Sequence, residues 1–496
     1  MPQLGLGLIG LVLVGSLWAS LGFIGEWAGI TAGLSEELAH RIFRGIGFGT
    51  TGLTCALSLW ALYKNPSWRK QAAIGIGLYL LLLWLTPRSF TYDTGLYHLP
   101  VINHFKEIGL EWNLGWLHSR YAFFNLLLYG QAAIARLAGT IALPSLNGVV
   151  LTGLLLVLIN EVRCDFRSLP SCMVATGALL LPSESTEGFH SYNADFSLGC
   201  IFLACCLLVI GRAANKRSAY YALGIAAFAP AIKMSGILLL PIIIYACTEK
   251  WGRINTIKLA RKIAPLIAII SIAIGSFGYI TSGYFSYPIA GSGPLRDQAI
   301  SKEETIKESK NSTIAWARFA YSGQLEKLKP DATPMEWLPK WSRSLNGKRM
   351  LSYTSLSLLV TIGSFRLKRL RDWRPVLAGT TILWITSILL LPPDPRFYFG
   401  PILITLYSAS IWLIRPDVFG ILRPRQASAA IITSMILIVI LTSIWRPSEH
   451  PRGSFPTAMG NLIRNEEIEN YEPRGSRKII KSTYSACWQL RAPCSP

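Results

Sequence analysis

Charged side chains are scarce in this sequence. Asp, Glu, Lys and Arg make up 15% of the 496 residues, whereas soluble domains carry roughly 25%. Acidic residues are scarcer than basic ones, since the chain has 27 Asp and Glu and 48 Lys and Arg. Hydrophobic residues account for 51% of the chain, and its mean hydropathy is +0.39. This balance excludes an ordinary soluble globular domain and favours a protein that lies in lipid.

The sequence also lacks the motifs of several enzyme classes. It contains no P-loop, no nucleophile elbow, no HExxH zinc motif and no clear internal repeat. The first apolar run, 5–25, has no basic residue before it and no small-x-small cleavage site after it. We therefore interpret this run as a membrane span and not as a signal peptide.

Apolar blocks recur along the chain with the length that a helix needs to cross a bilayer core of about 30 Å. They predict an all-α polytopic integral membrane protein with about 13 transmembrane helices. The predicted spans cover 4–24, 45–63, 72–86, 146–162, 169–182, 196–211, 219–230, 236–248, 264–283, 351–365, 375–391, 399–414 and 428–444. Several are short, so some helices are expected to continue past the apolar run.

The turns between these blocks alternate in charge. Lys and Arg concentrate in every second turn, which is the pattern of cytoplasmic loops, so the net charge of +21 predicts orientation and not a nucleic-acid partner. The basic turns are 64–70, 163–167, 212–217, 250–262, 366–374 and 415–425. We expect a cytoplasmic N-terminus and a periplasmic C-terminal tail in a bacterial inner membrane.

Residues 122–138 test this scheme, because counting them as a span would reverse every later loop. They include Asn125, Gln131 and Arg136, so we predict an amphipathic helix at the outer interface. A true span is the alternative.

The alternation divides the chain into six parts. These are three N-terminal spans (1–86), a first large outer loop with interfacial helices (87–145), a core transmembrane module (146–283), an outer segment (284–350), a C-terminal transmembrane module (351–444) and an outer tail (445–496). The tail carries Cys487 and Cys494, and an oxidising compartment would allow a disulfide between them. Two unpaired thiols are the alternative.

Ionisable residues at a membrane face indicate a site, because they are costly there unless they line a cavity. The first outer loop is rich in such residues and in aromatics, including Tyr97, His98, His118 and Arg120 beside Asp93. An aromatic loop that follows the membrane suits a lipid-linked substrate. An ordinary solvated loop is the alternative.

Three short outer turns add further charges. Residues 182–195 contribute Asp195, residues 230–235 contribute Lys233, and residues 392–398 contribute Arg396. A carboxylate can accept a proton from an attacking hydroxyl. Arg and Lys can hold a phosphate. Snorkelling of the two cations to lipid headgroups is the alternative.

The arrangement resembles the GT-C superfamily of membrane glycosyltransferases. Members have an acidic first outer loop, then interfacial helices, then a span that ends in a basic cytoplasmic turn. Here 91–100 (TYDTGLYHLP), 122–138 and 160–167 occupy these places. Asp195 matches the second acid that such enzymes often carry.

The stretches YDTGLYHLP, SGYFSYP, PDPRFYFG and CWQLRAPCSP also resemble a bacterial family of multispan membrane proteins to which no activity is attached. The chain departs from GT-C enzymes in two ways. Two spans precede the presumed first core span at 72–86, and the acidic loop reads YDTG in place of a paired-acid motif. The second departure leaves use of a divalent metal ion open.

The resemblance implies an inverting transfer of sugar from a polyprenyl-phosphate donor to an acceptor at the outer face. Asp93 would be the general base, and His98 would position the acceptor or share its proton. Arg120, Lys233 and Arg396 would hold the lipid phosphate, with Tyr97, His118 and Asp195 as further substrate contacts. A transporter or flippase, and a non-catalytic assembly protein that binds a partner through 284–350, are the alternatives.

Overall fold

In the residues that it describes, the structure, a computed structural model, is helical apart from three short strands. It describes residues 2–35, 37–39, 41–42, 66–85, 97–138, 146–180, 192–212, 214–289, 295, 300–308, 310, 314–319, 332–413, 471–474, 477–481 and 494–495. The strands lie in the tail and pair in the order β1 (Tyr471–Arg474), β2 (Arg477–Lys481) and β3 (Cys494–Ser495). The first two are antiparallel, and the last two are parallel.

The described helices follow the predicted spans and outer segments in chain order. They are α1 (Pro2–Thr31), α2 (Pro66–Leu85), α3 (Leu99–Glu107), α4 (Leu126–Ala138), α5 (Leu146–Cys164), α6 (Leu169–Leu180), α7 (Ala194–Ile210), α8 (Lys216–Ala226), α9 (Ala229–Ile232), α10 (Leu239–Trp251), α11 (Arg253–Ser282), α12 (Lys302–Glu308), α13 (Trp316–Phe319), α14 (Pro334–Arg343), α15 (Leu345–Arg366), α16 (Arg374–Leu389) and α17 (Phe399–Leu413). Short 3-10 turns join them at Leu114–Trp116, Ser119–Ala122, Phe166–Ser168, Met234–Leu238, Lys368–Trp373 and Pro395–Tyr398.

Helix α7 is the centre of the bundle. Every one of its residues is buried, and the helices α5, α8, α10 and α17 pack around it. Its sequence is apolar on all sides, as expected for a helix with no exposed face. Asn193 begins the helix by accepting a hydrogen bond from the Asp195 N–H at 2.9 Å, which satisfies one of the donors that a helix start leaves unpaired.

Small residues let α1 and α5 approach closely. A Cβ atom on Gly5 would lie 2.4 Å from the carbonyl oxygen of Gly153, and a Cβ atom on Gly153 would lie 2.7 Å from Ile9. Helices that lie in lipid commonly associate through such small residues.

Four helical stretches are long and apolar enough to cross a membrane, judged by length and composition within the described part of the chain. They are Gly5–Thr31, Leu146–Cys164, Met234–Trp251 and Arg253–Ser282. Each predicted span that falls on described residues coincides with a helix, but the other helices are shorter or less apolar. The predicted spans 45–63 and 428–444 lie outside the described residues.

Residues from four predicted basic turns, 163–167, 212–217, 250–262 and 366–374, lie near one another at one end of the bundle, here called the basic end. Arg212 forms an ion pair with Asp165 at 3.1 Å, and its N–H donates to Glu161 at 2.7 Å. Lys250 lies within electrostatic range of Asp372, Glu161 and Arg212. Turns that are far apart in the sequence therefore share one end.

Two segments differ in detail from the sequence-based expectation. The basic segment 250–262 was expected to be a turn, but α11 begins at Arg253, so most of its cations lie on a helix. Within 122–138, α4 is 13 residues long, about 20 Å at 1.5 Å per residue. That length is short of a bilayer core, as it is for α6 and α8, and the interfacial position of 122–138 stays a prediction.

Candidate functional site

The opposite end of the bundle, here called the site end, holds an ion pair between Asp195 and Lys233. The Lys233 Nζ lies 2.6 Å from both carboxylate oxygens of Asp195. The Asp195 side chain is 8% exposed and that of Lys233 is 30% exposed. Asp195 lies in the first turn of α7, where the helix dipole favours a negative charge. Lys233 lies in the extended break between α9 and the next 3-10 turn.

Asp195 is held in place by hydrogen bonds between two helix starts. The Asn147 side-chain amide donates to the Asn193 carbonyl oxygen at 2.9 Å. The Ser197 hydroxyl donates to Asn147 Oδ1. Since Asn147 belongs to α5 and Ser197 to α7, these bonds fix the two helices beside the carboxylate.

A second acid–base pair lies in the turn before α17. Asp394 is fully buried, and its carboxylate accepts from the Arg396 N–H at 3.0 Å and from Arg396 Nε at 3.2 Å. Pro395 at the start of the 3-10 turn fixes the backbone between them. The Trp341 indole N–H donates to the Pro393 carbonyl oxygen at 3.1 Å, so α14 covers this turn.

Phe397 joins the two pairs. The Lys233 Nζ lies 4.4 Å from the centre of its ring, and the Arg396 guanidinium carbon lies 5.7 Å from it. The same guanidinium carbon lies 4.5 Å from the ring centre of Trp316. Both cations are thus held by a carboxylate and by aromatic faces, which attract positive charge.

His98 is a buried neutral group beside these charges. Burial is the main cause that lowers the pKa of His98 to about 3, and the nearby cations Lys233 and Arg120 lower it further. Its Nδ1 is buried and has no hydrogen-bond partner among the described residues. Its ring lies 4.3 Å from that of Tyr97. At neutral pH it can exchange hydrogen bonds with a ligand without adding charge.

Arg120 lies in the 3-10 turn Ser119–Ala122, close to His98. Its guanidinium carbon is 5.7 Å from the ring centre of Tyr97 and 5.1 Å from that of Phe123. The Arg120 N–H donates to His118 Nδ1 at 3.1 Å. His118 therefore shapes the turn that carries Arg120.

A small cleft opens beside the Asp195–Lys233 pair, and the space in it that a water-sized group can occupy is ≈ 20 Å³. Its polar rim includes Asp195, Tyr398 and Ser235, whose hydroxyl oxygen is buried without a hydrogen-bond partner among the described residues. Burial raises the pKa of the Tyr398 phenol, and the nearby carboxylates of Asp394 and Asp195 add to that shift. The remaining wall is apolar and is formed by Leu198, Gly199, Leu238, Leu239, Leu383, Phe397, Phe399, Gly400 and Pro401.

The site residues predicted from the sequence that the structure describes lie at the site end. Asp195, Lys233 and Arg396 converge around Phe397, and His98 and Arg120 lie near Lys233. Tyr97 and His118 contact this second group. Asp93 lies outside the described residues, as does Cys487 of the expected disulfide.

The residues that sequence reasoning missed are uncharged partners. Phe397 and Tyr398 belong to the quoted PDPRFYFG stretch. The sequence does not indicate that Phe397 contacts both cations or that Tyr398 lies near both carboxylates. Trp316 and Ser235 carried no sequence signal. Among the described residues, no group of three or more His, Cys, Asp or Glu side chains could hold a metal ion.

Comparison with known proteins gives one family. No curated protein and no solved structure matches the chain. One protein family, described as "Domain of unknown function (DUF8201)", matches residues 6–403, which cover most of the chain and every described residue of the site. The chain therefore belongs to the DUF8201 family.

Proposed function

We propose that this protein is a multispan membrane glycosyltransferase of GT-C type that takes a sugar from a polyprenyl-phosphate donor. The site end would face the periplasm and the basic end the cytoplasm of a bacterial inner membrane, with about 13 spans in the whole chain. The observation that carries the proposal is the joining of Asp195–Lys233 and Asp394–Arg396 around Phe397 at one end. Such a cluster is costly unless it serves a ligand.

The reaction follows from the chemistry of these groups. An acceptor hydroxyl oxygen attacks the anomeric carbon of the sugar and loses its proton to the Asp93 carboxylate. The bond between the anomeric carbon and the phosphate oxygen breaks on the opposite side, so the configuration inverts. Polyprenyl phosphate leaves with one additional negative charge. Arg120, Lys233 and Arg396 stabilise that charge.

The cleft suits the donor lipid. Its wall is mostly apolar, and its polar lining includes Ser235 and Asp195, which pairs with Lys233. The first isoprene unit would lie at the mouth of the cleft beside Leu238 and Leu383, with the phosphate near Lys233. The neutral His98 would contact a hydroxyl of the sugar or of the acceptor.

The test is transfer of a labelled sugar in proteoliposomes from a panel of polyprenyl-phosphate hexoses to cell-envelope glycolipids. We expect Asp93→Asn to lower transfer by at least a hundredfold, because a general base contributes roughly 10²–10⁴ in rate. Donor binding should be unchanged in that variant. Glu107→Gln is the matched control, since it makes the same chemical change at an exposed position of the same segment.

Two outcomes would contradict the proposal. Equal transfer by the wild-type chain and by Asp93→Asn would remove Asp93 from the reaction. Movement of the labelled lipid across the bilayer, without any transfer, would identify a transporter. The ion pairs at one end favour the enzyme, because transporters bind their substrates near the midplane of the bilayer.

A further inference from the structure

The short helix α14 has one face against the site and one face outward. Trp337 and Trp341 are buried, and Trp341 bonds to the Pro393 carbonyl oxygen, so the inner face covers the Asp394–Arg396 turn. On the outer side, Met335 is 90% exposed. A capping box between Thr333 and Glu336 begins the helix, so it is a defined element and not a loose connection.

Three cations without an ion-pair partner among the described residues lie on the outward side of this region. Lys340 and Arg343 of α14 and Lys348 of α15 are exposed. None of the three forms an ion pair with a described carboxylate. Leu345, which lies between Arg343 and Lys348, is 56% exposed. The outward surface therefore combines bare positive charge with apolar side chains.

This charged surface borders an apolar stripe on α15. The exposed residues of the stripe are Leu351, Leu358, Leu359, Ile362 and Phe365. From Leu351 to Phe365 the helix rises about 21 Å at 1.5 Å per residue, which is comparable with most of a bilayer core. Lys348 precedes the stripe by less than one turn. Cations at the end of a lipid-facing stripe lie at the level of the phosphate groups.

We propose that α14 and the first turn of α15 form a binding surface for anionic phospholipid. Lys340, Arg343 and Lys348 bind the lipid phosphates, while Met335 and Leu345 enter the boundary with the acyl chains. This inference rests on the membrane assignment within the proposed function, but not on glycosyl transfer. Because Trp341 holds the Pro393 carbonyl oxygen, bound lipid would also stabilise the turn that carries Arg396.

The experiment measures thermal unfolding of the full-length chain in uncharged detergent during titration with phosphatidylglycerol or phosphatidylcholine. We expect phosphatidylglycerol to raise the midpoint temperature of the wild-type chain and phosphatidylcholine to leave it nearly unchanged. Lys340→Glu/Arg343→Glu should raise the half-saturating phosphatidylglycerol concentration at least tenfold. The matched control is Lys302→Glu/Lys307→Glu, which makes the same charge change at exposed positions of α12 and should behave like the wild-type chain.

Several results would overturn the inference. One is an unchanged half-saturating concentration in Lys340→Glu/Arg343→Glu, and another is an equal loss in the α12 control. If inorganic phosphate or polyglutamate raised the midpoint temperature as much as phosphatidylglycerol does, the ligand of this surface would be a free anion or an acidic protein and not a lipid. A chain that prefers phosphatidylglycerol but transfers no sugar would leave this inference intact while removing the proposed activity.

Discussion

At the scale of residues, Asp195 and Lys233 are coupled more tightly than any other charges of the site. The ammonium lies 2.6 Å from both oxygens of a carboxylate whose side chain is 8% exposed. Removal of one partner leaves the other charge in a poorly solvated place. The energetic cost therefore depends on whether one residue or both are replaced.

A double-mutant cycle measures this coupling. We expect Asp195→Asn and Lys233→Met each to destabilise the chain by about 2–4 kcal/mol, the lower part of the range reflecting the partial exposure of Lys233. The double variant should be less destabilised than the sum of the two. The measurement is thermal unfolding in detergent, and additive losses would mean that the two charges do not interact.

Part of this site could be predicted from the letters. The sequence indicates that Asp195, Lys233 and Arg396 share one end. Every second turn between successive spans lies on the same side of the membrane, and these three residues lie in such turns. The sequence does not indicate which acid faces which cation. That depends on the break between α9 and the following 3-10 turn, which turns Lys233 toward α7. The role of Phe397 follows from packing alone.

At the scale of elements, the contact between α1 and α5 depends on the absence of side chains. Gly5 and Gly153 face each other so closely that a single added Cβ atom meets backbone. The apolar runs predict that both helices exist, since each has the length and composition of a span. The apolar runs do not predict that α1 packs against α5, because the sequence does not distinguish a glycine at a helix contact from a glycine that faces lipid.

Two alanine variants compare a glycine at the α1–α5 contact with a glycine that faces open space. Gly5→Ala should destabilise the chain by about 1–3 kcal/mol, since the new methyl group would lie 2.4 Å from the Gly153 carbonyl oxygen unless the helices move apart. Gly7→Ala, on the same helix with open space around it, should be neutral or slightly stabilising because alanine favours the helix. Thermal unfolding in detergent compares them, and equal effects would argue against the close contact.

At the scale of the whole molecule, the two ends differ in chemistry. Asp165, Arg212 and Lys250 come from separate turns and meet at the basic end, while both ion pairs around Phe397 lie at the site end. The apolar blocks make the helical bundle predictable from sequence. The number of membrane crossings is less predictable from sequence, because α6, α8 and α17 are shorter than a bilayer core requires.

Cysteine accessibility tests the proposed orientation. Cys164 is exposed near the basic end, whereas the other described free cysteines are buried. In a Cys487→Ser/Cys494→Ser background, a membrane-impermeant maleimide should label Cys164 only after spheroplasts are permeabilised. Ser301→Cys, at an exposed position before α12, should be labelled in intact spheroplasts. The reverse pattern would invert the topology.

Helix α11 has a consequence for the profile of the protein at the membrane surface. It is 30 residues long, so its rise of about 45 Å exceeds a hydrocarbon core of about 30 Å. Near its C-terminal end, Phe277 stacks on Phe105 and contacts Tyr129. Lys262 is the last of its N-terminal cations, and Phe277 lies about 22 Å further along the helix at 1.5 Å per residue. If Lys262 marks the cytoplasmic boundary, this aromatic layer lies within the outer half of the hydrocarbon core. Helix α3, which supplies Phe105, would then reach below the surface of the outer leaflet.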